Sequence, residues 1–171
     1  MAKRVSLREF QESVVARLKS LPATHAASTK LGIQVGDTSW LVDLTDVSEV
    51  LPVPGMVDVP LTRRWFKGVA NIRGNLFSVV DLPGFLGDEP VNLGMSSRLL
   101  IIHPRHIVNS ALLVNRMLGL RNIQGMEEVA PADPAVPWCG PTRRDSEGRE
   151  WREMRINELV QQAPFLQVGT I

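Results

Sequence analysis

The chain has 171 residues, of which 44% are hydrophobic, so it can bury a substantial core as one domain or two small ones. It carries 19 basic and 18 acidic side chains, and a formal net charge of +1 excludes a strong electrostatic drive toward nucleic acids or membranes. A single cysteine, Cys139, excludes an intrachain disulfide. No signal-peptide run and no membrane-length apolar stretch occurs, so we expect a soluble cytoplasmic protein.

The N-terminal pattern predicts an amphipathic helix over residues 6–20. Ser6 and Glu9 form a capping box, and apolar residues then recur at helical spacing at Leu7, Phe10, Val14, Leu18 and Leu21. Pro22 ends the helix, and small and polar residues up to Lys30 predict a linker. The apolar stripe can pack on the main domain or dock on a partner, and the sequence leaves both open.

From Leu31 the hydrophobic period changes to two, which predicts strands. A first hairpin is expected over 31–44, with its turn at Gly36-Asp37. Thr45 is then expected to cap a short helical turn through Val47, Glu49 and Leu51.

The clearest local signal is a second hairpin. Two apolar runs, 69–72 and 76–82, flank Gly74-Asn75, and both residue types tolerate the positive φ of tight turns. Arg73 stands beside the turn and Asp81 ends the second strand. Neither residue belongs to a metal, phosphate or nucleophile motif.

The second half of the chain also has the pattern of short strands and turns, but more weakly. Strands are expected over 99–102, 107–114 and 151–156, with a helix-like or irregular turn over 115–123, a proline-rich loop over 130–141 and a closing turn capped by Asn157. Many short strands and frequent turns favour an all-β architecture of two packed small barrels. We expect a first barrel at about 31–90, a second at about 91–160 and a tail over 161–171.

No catalytic or cofactor-binding constellation is present, so we expect neither an enzyme nor a bound cofactor or metal. His103 and His106 lie on one turn with no third ligand nearby, which predicts an exposed pair. Cys139 beside Trp138 is expected to be a small buried hydrophobe. The basic and aromatic run 63–67 leaves one alternative open, a nucleic-acid-binding small barrel, although the neutral overall charge disfavours it.

These residues resemble the CheW-like family of chemotaxis adaptors. The resemblance is carried by Trp65-Phe66-Lys67-Gly68-Val69-Ala70-Asn71-Ile72-Arg73-Gly74, then Val79-Val80-Asp81-Leu82 and Phe85-Leu86-Gly87. It extends over roughly 31–160 through Trp40 to Leu44, Val47 to Leu51, Ala111 to Val114 and Ile156 to Leu159. The N-terminal helix and the run 148–153 are more similar to the type IV pilus, PilI-like branch.

The resemblance implies a mostly β fold of two packed five-stranded Src-homology-3-like barrels and a non-enzymatic role. It implies two partners: the regulatory domain of a CheA-type histidine kinase, and the cytoplasmic tip of a methyl-accepting chemoreceptor in a membrane-bound array. The output would be twitching motility or flagellar steering.

The resemblance also implies partner-binding residues, namely Val47, Glu49, Gly68, Arg73, Ala111, Met117 and Leu120. Glu49 and Arg73 can instead be a bracing ion pair, Gly68 can be a backbone requirement, and the apolar positions can be plain core. Arg73→Glu and Gly68→Trp are expected to weaken partner binding while the fold survives. Pro83 and Arg116 depart from the family pattern, so they are expected to alter the groove surface.

Overall fold

A computed structural model describes residues 28–171, and the predicted helix over 6–20 lies outside this range. The described chain forms the strands β1 (Thr29–Val35), β2 (Thr38–Asp43), β3 (Val47–Pro52), β4 (Phe66–Ile72), β5 (Asn75–Asp81), β6 (Arg98–Ile102), β7 (Ser110–Val114), β8 (Arg116–Asn122), β9 (Glu127–Ala130), β10 (Cys139–Arg144) and β11 (Glu150–Met154). Its helices are short: α1 (Leu82–Leu86), α2 (Ile156–Val160) and α3 (Ala163–Leu166), with 3-10 turns at Leu44–Asp46, Pro104–His106 and Ile123–Gly125. Within this range no helix is long and apolar enough to cross a membrane.

The strands form two sheets, which confirms the predicted mostly β architecture. The six-stranded sheet has the order β8-β1-β2-β11-β10-β9, and the five-stranded sheet has the order β3-β6-β7-β5-β4. Each sheet contains one parallel pair, β2 with β11 and β5 with β7, and its other pairs are antiparallel. One sheet therefore has six strands rather than the expected five.

The division between the sheets differs from the expected boundary near residue 90. The five-stranded sheet is built from residues 47–114, and β1 and β2 join four strands from the C-terminal part of the chain. The reason is long-range pairing, since β1 lies against β8 and Trp40 of β2 lies opposite Arg152 of β11. Such pairings leave no local trace in the hydrophobic period.

The main core lies between the two sheets and draws on both of them. Ile33 and Val42 from the six-stranded sheet pack in one buried cluster with Leu100 and Leu112 from the five-stranded sheet. A second cluster lies on the opposite face. It contains alternate residues of β5, β6 and β7, together with Ala70 of β4 and Val91 of the loop before β6, and its strand residues are Val79, Leu99, Ile101, Ala111 and Leu113. The central strands β6 and β7 are thus buried on both faces, as the continuous apolar run 99–102 predicts for β6.

Several local predictions were wrong about element type. The helical turn after β2 covers only Leu44–Asp46 and is capped by the Asp43 carboxylate, and residues 47–52 then form β3. Residues 116–122, expected to be helix-like or irregular, form β8. β9 and β10 occupy segments where no strand was predicted, and α2 has Arg155 rather than Asn157 at its N-cap.

The C-terminal segment, expected to be a tail, is part of the packed structure. Phe165 of α3 is buried and stacks edge-to-face on Phe85 of α1, with ring centroids 5.5 Å apart. Backbone hydrogen bonds of 2.8 and 2.9 Å then join Val168 and Thr170 to the loop at residues 61–63. The last nine residues therefore hold the loop that precedes β4.

Candidate partner-binding site

The β4–β5 hairpin presents Arg73 on a tight two-residue turn. Ile72 pairs with Asn75, so the turn is formed by Arg73 and Gly74, one residue earlier than predicted. Both residues have positive φ, 52° and 84°, as the turns that match strand twist require. The Asn71 side chain accepts a 2.9 Å hydrogen bond from the Gly74 amide. A non-glycine residue at positive φ is uncommon, so the fold holds Arg73 in an unfavourable conformation.

Arg73 forms a two-point ion pair with Glu49. Its Nη1 lies 2.7 Å from Oε2 and its Nη2 lies 2.5 Å from Oε1 of the glutamate. Glu49 is on β3, one edge of the five-stranded sheet, and Arg73 follows β4, the other edge. The pair thus joins the two edges of one sheet. The Arg73 side chain remains 73% exposed, against 27% for Glu49, so its outer face is open to a partner.

Gly68 supports this edge through the backbone. Val57, beyond the end of β3, exchanges two backbone hydrogen bonds with Val69 of β4, of 2.8 and 2.9 Å. This approach requires Gly68, whose φ is +106° and whose missing Cβ would lie 2.0 Å from the Val57 carbonyl oxygen. The geometry therefore supports the backbone interpretation of Gly68. It contradicts the expectation that Gly68→Trp would leave the fold intact.

Exposed apolar side chains accompany the ion pair along this edge. Val57 is 68% exposed beside β4, where it pairs with Val69. Leu76, 61% exposed, lies opposite Asn71 at the start of the same hairpin. We call Glu49, Arg73, Val57 and Leu76 the edge patch. It combines a fixed charge pair with large apolar side chains.

The other proposed partner residues do not all lie on the surface. Ala111 is fully buried in the second core cluster, and Val47 is half-buried against the main core, so the plain-core alternative accounts for both. Met117 is also half-buried against the main core. Leu120 is 38% exposed on β8, an edge strand of the other sheet. The structure brings Glu49 and Arg73 together, and it positions Met117 and Leu120 on a separate strand.

Other residues singled out by sequence have structural contacts. The His106 imidazole is almost fully buried, with Nε2 2.8 Å from Oδ1 of Asp46, so the expected exposed histidine pair is wrong for this residue. Arg105 also binds that carboxylate. Pro83 is buried in α1 and offers no groove surface. In the part of the chain that the structure covers, no three His, Cys, Asp or Glu side chains cluster as metal ligands.

Two further ionisable groups have shifted pKa values with clear causes. Burial raises the pKa of the Cys139 thiol, which suits a small packed side chain rather than a nucleophile. Burial alone would also raise the pKa of Asp43, but hydrogen bonds from Thr45 and the nearby Lys30 ammonium outweigh burial and lower it. Asp43 is thereby held charged at the start of the 3-10 turn that leads to β3 and Glu49.

Sequence reasoning missed a polar cleft on the six-stranded sheet. Its volume is about 450 Å³, and its lining residues are Gln34, Asp37, Thr38, Ser39, Arg116, Arg149, Glu150 and Arg152. These residues come from the turn end of the β1–β2 hairpin, the start of β8 and the strand β11 with the turn before it. Arg116 was noted only as a departure from a family pattern. No spacing in the sequence links it to the other two arginines.

Comparisons with known proteins agree with the fold. The family model described as the CheW-like domain matches residues 30–161. Protein PilI of Pseudomonas aeruginosa is 31% identical over 158 residues, covering 87% of this chain and 86% of PilI. Chemotaxis protein CheW of Thermotoga maritima is 28% identical over 93 residues, covering 54% of this chain and 60% of that protein.

Among solved structures, the scaffolding protein TtCheW of Thermoanaerobacter tengcongensis has a similar fold. The TM-score is 0.65 at 16% identity, and the alignment covers 81% of this chain and 95% of TtCheW. Together with the family match over residues 30–161 and the similarity to PilI, these findings confirm the resemblance seen in the sequence. The chain belongs to the CheW-like domain family and is similar to PilI within it.

Proposed function

We propose that the chain is a non-catalytic adaptor that couples a methyl-accepting chemoreceptor to the regulatory domain of a CheA-type histidine kinase. It would act at membrane-bound receptor arrays, and its output would be type IV pilus twitching motility or chemotaxis. Family membership and the similarity to PilI support the class of function. The observation that carries the proposal is the Glu49–Arg73 pair, which is fixed by two hydrogen bonds and open to solvent on its arginine side.

The edge patch has the composition of a protein-binding surface. Interface cores are more apolar than the rest of a protein surface and are enriched in arginine, and here Arg73 is accompanied by the exposed side chains of Val57 and Leu76. Arg73 is held in place by Glu49 and by a strained turn, so little side-chain entropy remains to be lost on binding. An exposed ion pair contributes only about 0–1 kcal/mol to folding, so stability alone is a weak reason for this geometry.

The exposed side of β8 is the proposed contact for the receptor tip. Leu120 reaches solvent there, and Met117 supplies a flexible side chain of the kind that adapts to helical partners. Two separate surfaces on one rigid core would allow simultaneous contact with receptor and kinase. Signal transfer additionally requires contacts that differ in strength between two receptor states.

A charge-swap series tests whether the ion pair contacts a partner. Arg73→Glu and Glu49→Arg each break the pair, and the double variant restores it with its polarity reversed. If the pair contacts the kinase regulatory domain or the receptor fragment, all three variants bind that protein at least about tenfold more weakly in titration calorimetry. Receptor-controlled kinase autophosphorylation in a reconstituted mixture is lost in parallel.

The matched control makes the same reversal of charge at an exposed arginine outside the edge patch, β8 and the polar cleft, through Arg155→Glu. This variant should leave partner binding within about twofold, because a charge change outside both proposed surfaces removes no contact with a partner. Recovery of full binding by the Glu49–Arg73 double variant would mean that the pair is only structural. That result would remove the edge patch from the proposal.

A further inference from the structure

The polar cleft concentrates positive charge that the protein does not neutralise. Three arginines line it, Arg116, Arg149 and Arg152, against two carboxylates. One of these carboxylates, Glu150, is already paired with Arg144 at 2.7 Å. Within residues 28–171, none of the three lining guanidinium groups lies within ion-pairing distance of a carboxylate, whereas Arg73, Arg105, Arg143 and Arg144 do.

Neutral groups hold these arginines in position. Arg116 donates from Nε to the Gln34 side-chain oxygen at 2.8 Å, and the Gln34 amide donates in turn to the Gly36 carbonyl at 3.0 Å. The Asn115 side chain accepts a 2.8 Å hydrogen bond from the Gly36 amide, which ties the β1–β2 turn to the start of β8. The Nε atom of Arg116 is therefore held in place by Gln34, and the two Nη atoms are left to bind another group.

Indole rings hold the other two guanidinium groups. Arg149 lies over the Trp151 ring, 5.5 Å from its centroid, and Arg152 lies 6.0 Å from the centroid of Trp40. The Asp145 carboxylate fixes this turn by accepting hydrogen bonds from the Trp151 indole and the Arg149 amide, each of 2.9 Å. Three guanidinium groups that line one cleft repel one another, so an anion from outside that contacts them would lower the free energy of the cleft.

The geometry favours an extended anion over a single phosphate group. The arginines belong to β8, to the turn before β11 and to β11 itself, and each is anchored to a different neighbour. Residues 1–27 carry five basic side chains against two acidic ones, Glu9 and Glu12, so their net charge has the same sign as that of the cleft. An acidic segment of a partner protein is a better complement to the cleft.

We propose that this cleft binds an acidic peptide segment of a partner protein, with glutamate or aspartate carboxylates on Arg116, Arg149 and Arg152. Arginine suits this task because its planar guanidinium group makes two parallel hydrogen bonds to a carboxylate. The site uses none of the edge-patch residues, and on β8 it uses Arg116 rather than Met117 or Leu120. Its test needs neither receptor nor kinase, so failure of peptide binding would leave the proposed coupling of receptor and kinase standing.

The test is fluorescence anisotropy at low ionic strength with a labelled peptide of about twelve residues, in which glutamate alternates with serine. The glutamine counterpart of this peptide should not bind. A triple variant, Arg116→Gln with Arg149→Gln and Arg152→Gln, should weaken binding of the glutamate peptide by about tenfold or more. Thermal melting checks that the triple variant remains folded. The single Arg116→Gln variant removes no contact with an indole ring, so it measures the contribution of Arg116 to peptide binding separately.

The matched control removes the same charge elsewhere, through Arg63→Gln with Arg64→Gln and Arg155→Gln, three exposed arginines outside the cleft. This variant should bind the glutamate peptide within about twofold of wild type. Equal weakening by both triple variants would overturn the proposal, because it would show only a long-range charge effect. No binding at about 1 mM peptide, displacement by inorganic phosphate at a similar concentration, or tighter binding of single-stranded DNA would also overturn it.

Discussion

Gly68→Ala should destabilise the protein by roughly 3–7 kcal/mol, although it adds only a methyl group. An alanine at φ +106° costs about 1–3 kcal/mol of backbone strain. The new Cβ would lie 2.0 Å from the carbonyl oxygen and 2.7 Å from the carbonyl carbon of Val57, so the strand segment must move, at about 1–3 kcal/mol. Movement also breaks the two hydrogen bonds between Val57 and Val69, which contribute about 1 kcal/mol together or more.

Urea unfolding followed by tryptophan fluorescence measures this change directly. The matched control is Gly148→Ala, because Gly148 has a comparable φ of +84° but no atom within 4 Å of the added Cβ. At Gly148 only the strain of an alanine at positive φ remains, which lowers the free energy of unfolding by about 1–2 kcal/mol. A loss at Gly68 within 1 kcal/mol or so of the Gly148 loss would refute the close-approach reasoning. It would also return Gly68 to the list of possible contact residues.

Three further changes probe other parts of the fold. Asp81→Ala should lower the free energy of unfolding by about 2–4 kcal/mol, because the buried Asp81 carboxylate accepts 2.9 Å hydrogen bonds from two backbone amides. Urea titration measures this change, and a loss below about 1 kcal/mol would contradict the explanation. Hydrogen bonding, chiefly from the Trp151 indole, lowers the pKa of Asp145 from 3.8, so the stabilisation is complete above pH 3.8 and is lost as pH falls through the lower folded-state value. Asp145→Asn should therefore flatten the pH dependence of stability in that acidic window, and an unchanged curve would exclude this cause. Phe165→Ala should cost about 3–5 kcal/mol and make the C-terminal segment susceptible to limited proteolysis, whereas wild-type resistance would mean that the segment is not part of the core.

The sequence predicted the structure well where residues within one short segment determine the conformation. The first hairpin follows from alternating apolar residues around Gly36-Asp37, and the second follows from two apolar runs around a glycine-containing turn. The turn was displaced by one residue because the pairing of Ile72 with Asn75 leaves Arg73 at positive φ, which residue type alone does not reveal. The continuous run 99–102 likewise predicted burial on both faces.

Where the structure depends on distant pairing, the sequence was insufficient. β8 has no clean alternation because it is an edge strand with a register shift opposite Gly32 and Ile33, so its residues are half-buried or exposed on both faces. The Glu49–Arg73 pair was anticipated from family resemblance, since 24 positions separate the two residues along the chain. The polar cleft was missed because Arg116 and Arg152 line it together only through the pairing of β8 with β1, of β1 with β2 and of β2 with β11.

The strand order sets a sequence of events during synthesis. The strands of residues 47–114 find all their sheet partners within that segment, so this sheet can assemble while the ribosome is still translating. β2 must wait for β11, and until residues 150–154 emerge, the β2 edge that carries Trp40 and Val42 stays unpaired. Unpaired apolar edges promote association between nascent chains. A premature stop shortly before β11 should consequently yield aggregates rather than a smaller folded protein.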